Sequence, residues 1–245
     1  DRTIICPTMT ISITLRRFAF RFFSCLLLMS CCLSAAQAGS FDDWFIAVKN
    51  DQPGKVKDLL RRGFNPNAVE PERGDTGLIL AMRENSMGVM EVLLADSRTH
   101  IDAEAFNGDN ALMIACYNGN EKAVKALLDK GAKVNKNGWA PLHYAAASGN
   151  NRIVQMLLDK DAFIDAVSPN ATTPIMMAAR GGHIYTVKLL HDNGADATMK
   201  NQRGYSAMDF ARENKNTDIA TGLEYRIKKE AALAKRKNVM PKFPF

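Results

Sequence analysis

The pattern that decides the fold is clearest at residues 137–146, which read NGWAPLHYAA. Thirty-three residues later, residues 170–179 read NATTPIMMAA, and after another 33 residues, residues 203–211 read RGYSAMDFA. Towards the amino terminus the pattern recurs as NGDNALMIAC at 107–116 and as RGDTGLILA at 73–81. A fixed period of this length indicates a repeat protein, in which each unit packs mainly against its neighbours.

Each copy is associated with a second recurring element that begins with two leucines. This element reads LLRRG at 59–63, LLADS at 93–97, LLDKGA at 127–132, LLDKDA at 157–162 and LLHDNGA at 189–195. Val124, Leu127 and Leu128 form an apolar stripe with helical spacing, and Ile153 and Leu157 repeat it one unit later. The sequence therefore predicts two helices per unit, the second of which buries its stripe against the next unit.

The two elements together resemble the ankyrin repeat, with its Thr-Pro-Leu-His-x-Ala-Ala start, its Leu-Leu-x-x-Gly-Ala end and its period near 33 residues. The resemblance implies an all-α fold, an ankyrin-repeat solenoid of helix-turn-helix units with short hairpin fingers. It covers about 39–225. The predicted units are 39–72, 73–106, 107–136, 137–169, 170–202 and a degraded closing unit at 203–225. The finger at 134–139 is three residues short, so the row of fingers should be uneven at its centre.

Several residues of the motif have predicted structural roles. Four side chains stand where the first helix of a unit begins and should each accept a hydrogen bond from a free helix N–H: Thr76, Asn110, Thr173 and Ser206. Pro141 and Pro174 occupy the first helical position, where the missing N–H costs nothing. Ala140 cannot cap, which should weaken that helix start by about 1 kcal/mol. The resemblance implies that the ring of His143 ties one loop to the next unit.

The sequence predicts neither a catalytic group nor a metal or cofactor site. Cys116 matches an alanine of the motif and is expected to be a small core residue. His183 and His191 have no acid or cysteine placed to complete a metal site with them. No glycine-rich phosphate loop and no serine-centred elbow is present, and the acidic side chains are expected on solvated faces. We therefore expect a protein that is not an enzyme.

The function that the resemblance implies is the binding of a protein partner through the concave face. In ankyrin folds this face is built from the finger tips and the exposed positions of each first helix. The helix positions are Arg83, Tyr117, Ala147, Arg180 and Arg212, and the finger positions are Asp75, Asp109, Trp139, Thr172 and Tyr205. Trp139 is the predicted anchor, because Trp, Tyr and Arg dominate binding energy at interfaces. The alternative is that Trp139 packs sideways onto the neighbouring finger.

The formal charge of +6 is unevenly distributed along the chain. Residues 1–38 carry a net charge of +3, residues 39–202 carry −2, and residues 203–245 carry +5. Because the repeats are nearly neutral, we expect no nucleic-acid groove. The basic tail at 226–245 is expected to extend the final helix, either as a solvated helix end or as a site for anionic lipid, a polyanion or an acidic partner. The protein is expected to be a monomer.

The first 38 residues have the pattern of a signal peptide. Arg16, Arg17 and Arg21 precede an apolar stretch at 22–33, which is shorter than the roughly 20 residues that span a bilayer. The sequence Ala36-Gln37-Ala38 follows, so cleavage is predicted after Ala38, and Met9 is the predicted true start. Cys31 offers an alternative, because the preceding residues resemble a lipoprotein box whose acylation would attach the chain to a membrane.

An export signal on an ankyrin chain indicates a Gram-negative bacterium, because eukaryotic ankyrin proteins are overwhelmingly intracellular. The expected location is the periplasm or the medium. Cys116 is then the single cysteine of the mature chain, so no internal disulfide is expected. The resemblance to exported bacterial ankyrin proteins further implies a role in stress protection. The alternatives are a secreted effector that binds host proteins and a membrane-attached lipoprotein scaffold.

Overall fold

Residues 40–239 are described by a computed structural model, and the predicted signal peptide at 1–38 lies outside them. The described chain contains twelve helices, which pair as helix-turn-helix units in the predicted all-α repeat solenoid. They are α1 at 40–49, α2 Pro53–Arg61, α3 Gly77–Arg83, α4 Met87–Ala95, α5 Ala111–Tyr117, α6 Glu121–Asp129, α7 Pro141–Ser148, α8 Asn151–Leu158, α9 Pro174–Gly181, α10 Ile184–Asp192, α11 Ala207–Glu213 and α12 Thr217–Val239. Over this range the structure has no strands. Two fingers each contain one isolated β-bridge, between Val69 and Thr76 in one and between Glu104 and Asn110 in the other.

The helices lie in two layers. The first helices of successive units, α3, α5, α7, α9 and α11, pack in one row, and the second helices, α2, α4, α6, α8, α10 and α12, pack in the other. Neighbouring first helices approach each other more closely than neighbouring second helices do. Buried alanines at Ala145, Ala146, Ala178 and Ala179 leave room for this approach. Because one layer is packed more closely than the other, the stack curves, and the first helices and fingers line its concave side.

Most of the predicted helix starts are confirmed. The side chains of Thr76, Asn110 and Ser206 accept hydrogen bonds from the backbone N–H three residues later, at 3.4, 2.9 and 3.3 Å. Helices α7 and α9 begin at Pro141 and Pro174.

The prediction for Thr173 is wrong. Its Oγ1 is buried without a hydrogen-bond partner, and its backbone N–H instead lies 3.4 Å from the sulfur of Met176. The unit before it carries His143 at the position of Met176, and there the ring nitrogen accepts the N–H of Ala140 at 3.1 Å. A thioether is a weak acceptor, so the start of α9 is less well satisfied than the start of α7, although α7 lacks a capping side chain.

Side chains of one unit hydrogen-bond the backbone of the next along the row of fingers. The side-chain oxygens of Asn67, Asp102, Asn135 and Asp165 accept from the backbone N–H groups of His100, Lys133, Phe163 and Asp196, at 2.7 to 3.1 Å. The sequence analysis did not identify this ladder, although the recurrence of Asn or Asp about 33 residues apart was a signal for it.

A second ladder satisfies the free carbonyls at the carboxyl ends of the first helices. Side chains of the following unit reach back to them: Asn118 to Met82, Ser148 to Cys116, His183 to Ala147 and Asn216 to Ala179, at 2.9 to 3.1 Å. The ring of His183 requires glycine at position 149, where φ is +74° and a Cβ atom would lie 2.4 Å from the ring. These bonds supply the partners that helix ends otherwise lack.

The two ends of the stack are closed by different means. At the amino end Trp44 is fully buried and stacks on Phe64 with ring centroids 4.7 Å apart. At the carboxyl end α12 runs without a break across the predicted boundary at 225–226, as the sequence predicts for the tail. Ile227 packs against the core, and Arg226 forms an ion pair with Asp192. Between residues 40 and 239 no helix is long and apolar enough to cross a membrane.

Candidate concave binding face

The predicted binding residues differ in how far the structure leaves them exposed. Tyr117 is 60% exposed, and Arg180 and Arg212 are also exposed. Trp139 and Tyr205 are half-buried, and so is Arg83. The six residues are thus not one uniform surface, and their neighbours determine what each of them can offer to a partner.

Three of the predicted finger positions are wrong, because their side chains are buried. Asp75 has no exposed area, and Asp109 and Thr172 are 7% and 3% exposed. Each of them is the last residue of its finger, and its carbonyl oxygen accepts a backbone N–H from across the finger, at 2.8 to 3.0 Å. This places the residue at the base of the finger, where the neighbouring units cover its side chain. The expectation that acidic side chains lie on solvated faces also fails for Asp75 and Asp109.

Arg83 is held by these two buried carboxylates. Its Nε lies 2.8 Å from Oδ2 of Asp75, and its Nη2 lies 3.6 Å from Oδ2 of Asp109. Arg73 lies 3.5 Å from both Asp75 and Glu70. We call these five residues the ion-pair cluster. Both ion pairs of Arg83 lie within the chain, so its first role is structural, although Oδ1 of Asp75 is buried without a hydrogen-bond partner.

An open pocket lies next to the ion-pair cluster, at the centre of the face. It has a volume of about 160 Å³ and is lined by Tyr117, Trp139, His143, Tyr144, Ala147 and Met177. The ring of Tyr117 stands at 81° to that of Tyr144, and the ring of Trp139 stands at 77° to it, with both centroid distances 6.4 Å. We call this the aromatic pocket. Trp139 therefore packs on the first helix of its own unit, with its ring 5.3 Å from that of His143.

Tyr144 joins the aromatic pocket to the ion-pair cluster. Its hydroxyl donates a hydrogen bond to Oδ1 of Asp109. Burial and, secondarily, this bond to Asp109 raise the pKa of Tyr144 well above its usual value. The phenol therefore stays protonated and keeps its orientation. The other oxygen of Asp109 accepts from the side chain of Asn107 at 2.7 Å, so neither oxygen of Asp109 is left without a partner.

His143 forms the buried base of the aromatic pocket. Its Nδ1 accepts from the backbone N–H of Ala140, so Nε2 carries the proton and donates to the carbonyl of Thr172 at 3.0 Å. Burial lowers the pKa of His143, and the ring is therefore neutral at pH 7. The link from one unit to the next that the resemblance implied is confirmed.

The remaining predicted residues lie towards the carboxyl end of the face. Arg212 pairs with Glu224 at 3.3 Å, and Tyr205 packs on Phe210 with centroids 5.6 Å apart and lies under the guanidinium of Arg203. Arg180 has no ion pair among residues 40–239. It is the predicted arginine that remains free to meet an acidic group of a partner.

Tyr144 and Met177 are pocket residues that the sequence analysis missed. They occupy the same repeat position, 33 residues apart, and each lies three residues before a predicted face position, Ala147 or Arg180. Because residues three apart share a helix face, this spacing was the available signal.

The described residues contain neither an exposed cysteine nor a cluster of metal ligands. Cys116 is fully buried, as predicted, and burial raises the pKa of its thiol far above the usual value. Residues 40–239 contain no group of three or more His, Cys, Asp or Glu side chains arranged to hold a metal ion.

Comparisons with known proteins agree with this architecture. Two family models match, ankyrin repeats in three copies over residues 88–168 and ankyrin repeats in many copies over residues 164–211. The human SH3 and multiple ankyrin repeat domains protein 2 is 33% identical over 177 residues, which cover 70% of this chain and 10% of the relative.

Two other human relatives match to a similar extent. The transient receptor potential cation channel subfamily A member 1 is 32% identical over 160 residues, or 61% of this chain and 14% of the relative. The B-cell lymphoma 3 protein is 29% identical over 184 residues, or 72% of this chain and 40% of the relative. The chain thus spans between a tenth and two fifths of the length of these relatives. It belongs to the ankyrin repeat proteins, whose repeats form scaffolds for protein–protein interaction.

Proposed function

We propose that this chain is a non-catalytic binding module that holds a protein partner on its concave face, with the aromatic pocket as the central anchor point. The observation that carries the proposal is an open, mainly aromatic pocket at the middle of the face, beside the ion-pair cluster in which Arg83 is paired within the chain. Binding energy at interfaces concentrates in a few central residues, most often Trp, Tyr and Arg. Trp139 and Tyr117 meet that description, and Arg180 lies in the next unit.

The exposure of Tyr117 supports this assignment. It is one of the most exposed aromatic side chains on the first-helix layer, at 60%. Its ring is held in place by Tyr144, whose own hydroxyl is fixed by Asp109. A ring that is oriented before a partner arrives loses little conformational entropy on binding, which favours affinity.

The binding test compares substitutions on the two layers of the stack. The partner is first captured from periplasmic extract, identified by mass spectrometry and purified. We expect Trp139→Ala to weaken its binding by about 2 kcal/mol or more, with Tyr117→Ala and Arg180→Ala following. The matched controls are Tyr185→Ala and Arg152→Ala, because both residues are exposed on second helices, α10 and α8. Calorimetric titration of each variant gives the comparison.

The basic tail is the rival binding site, and the same titration distinguishes it. Lys228, Lys229 and Lys235 are exposed on α12, and their replacement by Gln removes charge without removing the residues that hold the helix to the stack. If the tail is the site, this triple variant loses the partner, binding weakens steeply with added salt, and Trp139→Ala binds normally. That result would rule out the concave-face proposal.

We further propose that the module is exported to the periplasm and acts there in stress protection. The support is the arginine-rich start, the short apolar stretch at 22–33 and the Ala-Gln-Ala site at 36–38. Mass spectrometry of the protein made in a Gram-negative host should show an amino terminus at Gly39. A mature form that begins at a lipid-modified Cys31 would instead support the membrane-attached scaffold, and an uncleaved chain would exclude both.

A further inference from the structure

Three aromatic rings form adjoining walls of the aromatic pocket. The rings of Tyr117 and Trp139 each stand nearly perpendicular to the ring of Tyr144, with centroids 6.4 Å from it. The face of an aromatic ring carries negative electrostatic potential, and a cation within about 6 Å of the ring centroid is attracted to it. Several rings around one small pocket can act on the same cation, and Trp is the most effective of them.

The charges of the ion-pair cluster beside the pocket also favour a cation, whereas Arg180, one helical turn after Met177 on α9, carries an opposing charge. His143 is neutral at the base of the pocket. The adjacent ion-pair cluster contains three carboxylates, Glu70, Asp75 and Asp109, and two guanidinium groups, Arg73 and Arg83, so its net charge is negative. The hydrogen bond from Tyr144 to Asp109 places partial negative charge on the phenol oxygen and so makes the ring richer in electrons. This raises the attraction between the ring and a cation in the pocket.

The pocket lacks the acceptors that a primary ammonium requires. A lysine ammonium has three N–H donors, and burying them without partners is costly. The carboxylate next to the rings, Asp109, already accepts hydrogen bonds from Tyr144 and Asn107 on its two oxygens and pairs with Arg83. The accessible lining of the pocket is almost wholly apolar and is formed by Tyr117, Trp139, His143, Tyr144, Ala147 and Met177. A quaternary ammonium has no N–H group, and its methyl groups suit such walls.

We propose that the aromatic pocket binds a quaternary ammonium group. This inference deepens the proposed function, on which it rests for the location of the site, by naming the chemistry that the pocket takes. The group can be carried by a protein partner as a trimethylated lysine or by a free small molecule such as choline. Both present the same charge and the same methyl groups to the rings, and the pocket volume of about 160 Å³ admits one such group.

The decisive comparison is between choline and its uncharged carbon analogue, 3,3-dimethyl-1-butanol, titrated calorimetrically into the full chain. The two have nearly the same shape and differ in the positive charge. We expect choline to bind about ten-fold more tightly than the alcohol, because the alcohol gains no cation–π attraction. Equal binding of the two, or no binding of choline, would overturn the proposal.

Variants locate the binding. Trp139→Leu and Tyr117→Leu keep apolar bulk but remove an aromatic wall, and each should lower choline affinity by about five-fold or more. Tyr185→Leu is the matched control, because Tyr185 is 75% exposed on a second helix, and it should leave choline binding unchanged. A loss of affinity in the control equal to the loss in the pocket variants would contradict the assignment. Circular dichroism verifies that every variant is folded.

The source of the group is resolved by a peptide that carries trimethyl-lysine, compared with the same peptide carrying unmodified lysine. Tighter binding of the trimethylated peptide than of choline assigns the group to a protein partner. Tighter binding of choline assigns it to a free molecule.

The quaternary ammonium proposal and the proposed function can fail independently of each other. If Trp139→Ala loses the captured partner but the unmodified chain does not bind choline, the quaternary ammonium proposal is wrong and the concave-face proposal stands. If the unmodified chain binds choline but Trp139→Ala still captures the partner, the quaternary ammonium site stands and the concave-face proposal is wrong.

Discussion

The ion-pair cluster and the aromatic pocket are neighbours on the same concave face, yet they differ in kind. In the cluster, Arg83 lies between two buried carboxylates, and its charge is paired with them inside the protein. In the pocket, Tyr117 and Trp139 are held in place but leave an open space between them. Arg180, three units after Arg83 and at the same repeat position as the pocket residue Ala147, has no ion pair within 40–239. The same residue type at the same repeat position is therefore structural in one unit and available in another.

The reason for this difference is the residue that closes each finger. Asp75 and Asp109 bring buried carboxylates to the ends of the first two fingers, before α3 and α5, and these carboxylates pair with Arg83. The later fingers end in Trp139 and Thr172, which carry no charge. The repeat position thus fixes the place of a side chain on its helix. The residues of the neighbouring unit determine whether that side chain makes internal contacts or stays available to a partner.

The largest expected effects lie in the core, where equivalent residues of two units should have equal effects on stability. Leu127 and Leu157 occupy the same position in the units on either side of the pocket, and both are fully buried. Replacement of either by Ala should lower the free energy of unfolding by about 2–5 kcal/mol, and by similar amounts in the two units. Urea denaturation of both variants measures this. A loss below about 0.5 kcal/mol for either would place that leucine outside the inter-unit core.

Arg83 and Arg180 test whether the same repeat position is structural in one unit and available to a partner in another. Arg83→Ala leaves the buried Asp75 with the more distant Arg73, and should cost about 3 kcal/mol, the lower end for breaking a buried ion pair. Arg180→Ala should change stability by less than about 0.5 kcal/mol, as is usual at exposed positions. Equal effects in chemical denaturation would show that the two arginines do not differ as the structure indicates.

The helix caps provide a smaller test of the same principle. Asn110→Ala should cost about 1 kcal/mol, because the amide oxygen accepts the N–H of Met113. Thr173→Val should be neutral or stabilising, because it replaces a buried hydroxyl without a partner by a methyl group. Thermal denaturation of both variants, with Thr76→Ala as the capped threonine for comparison, measures the difference. A clear loss of stability in Thr173→Val would mean that the hydroxyl has a partner after all.

The smallest expected effect is the dependence of stability on pH that arises from His143. Burial lowers the pKa of His143 in the folded protein, so the unfolded chain binds a proton more readily. Stability from this residue is complete above its unfolded pKa of about 6.5 and falls as the pH drops through the folded pKa. Denaturation between pH 5 and 8 should show a shallower loss towards acid in His143→Gln than in the unmodified protein. A steeper loss in the variant would contradict this sign.

Much of the fold was predictable from the sequence, because each unit uses local rules. Capping residues, first-position prolines, turn glycines and the apolar stripe act within a few residues, so the pattern at 137–146 predicts the same helix pair wherever it recurs. The exposure of Tyr117 and the burial of Cys116 follow from the same register. Residues 1–38 are a different case, since their interpretation as a signal stays a prediction.

What only the tertiary structure decided is how neighbouring units meet. The ion pair of Arg83 with Asp109, the hydrogen bond from Tyr144 to Asp109 and the place of Met177 in the pocket all join side chains about 30 residues apart in sequence. The burial of the Thr173 hydroxyl without a hydrogen-bond partner is likewise visible only in the folded structure. A 33-residue period determines which positions face one another. Whether facing side chains satisfy each other or leave an open pocket is determined by distances and angles that a linear pattern does not contain.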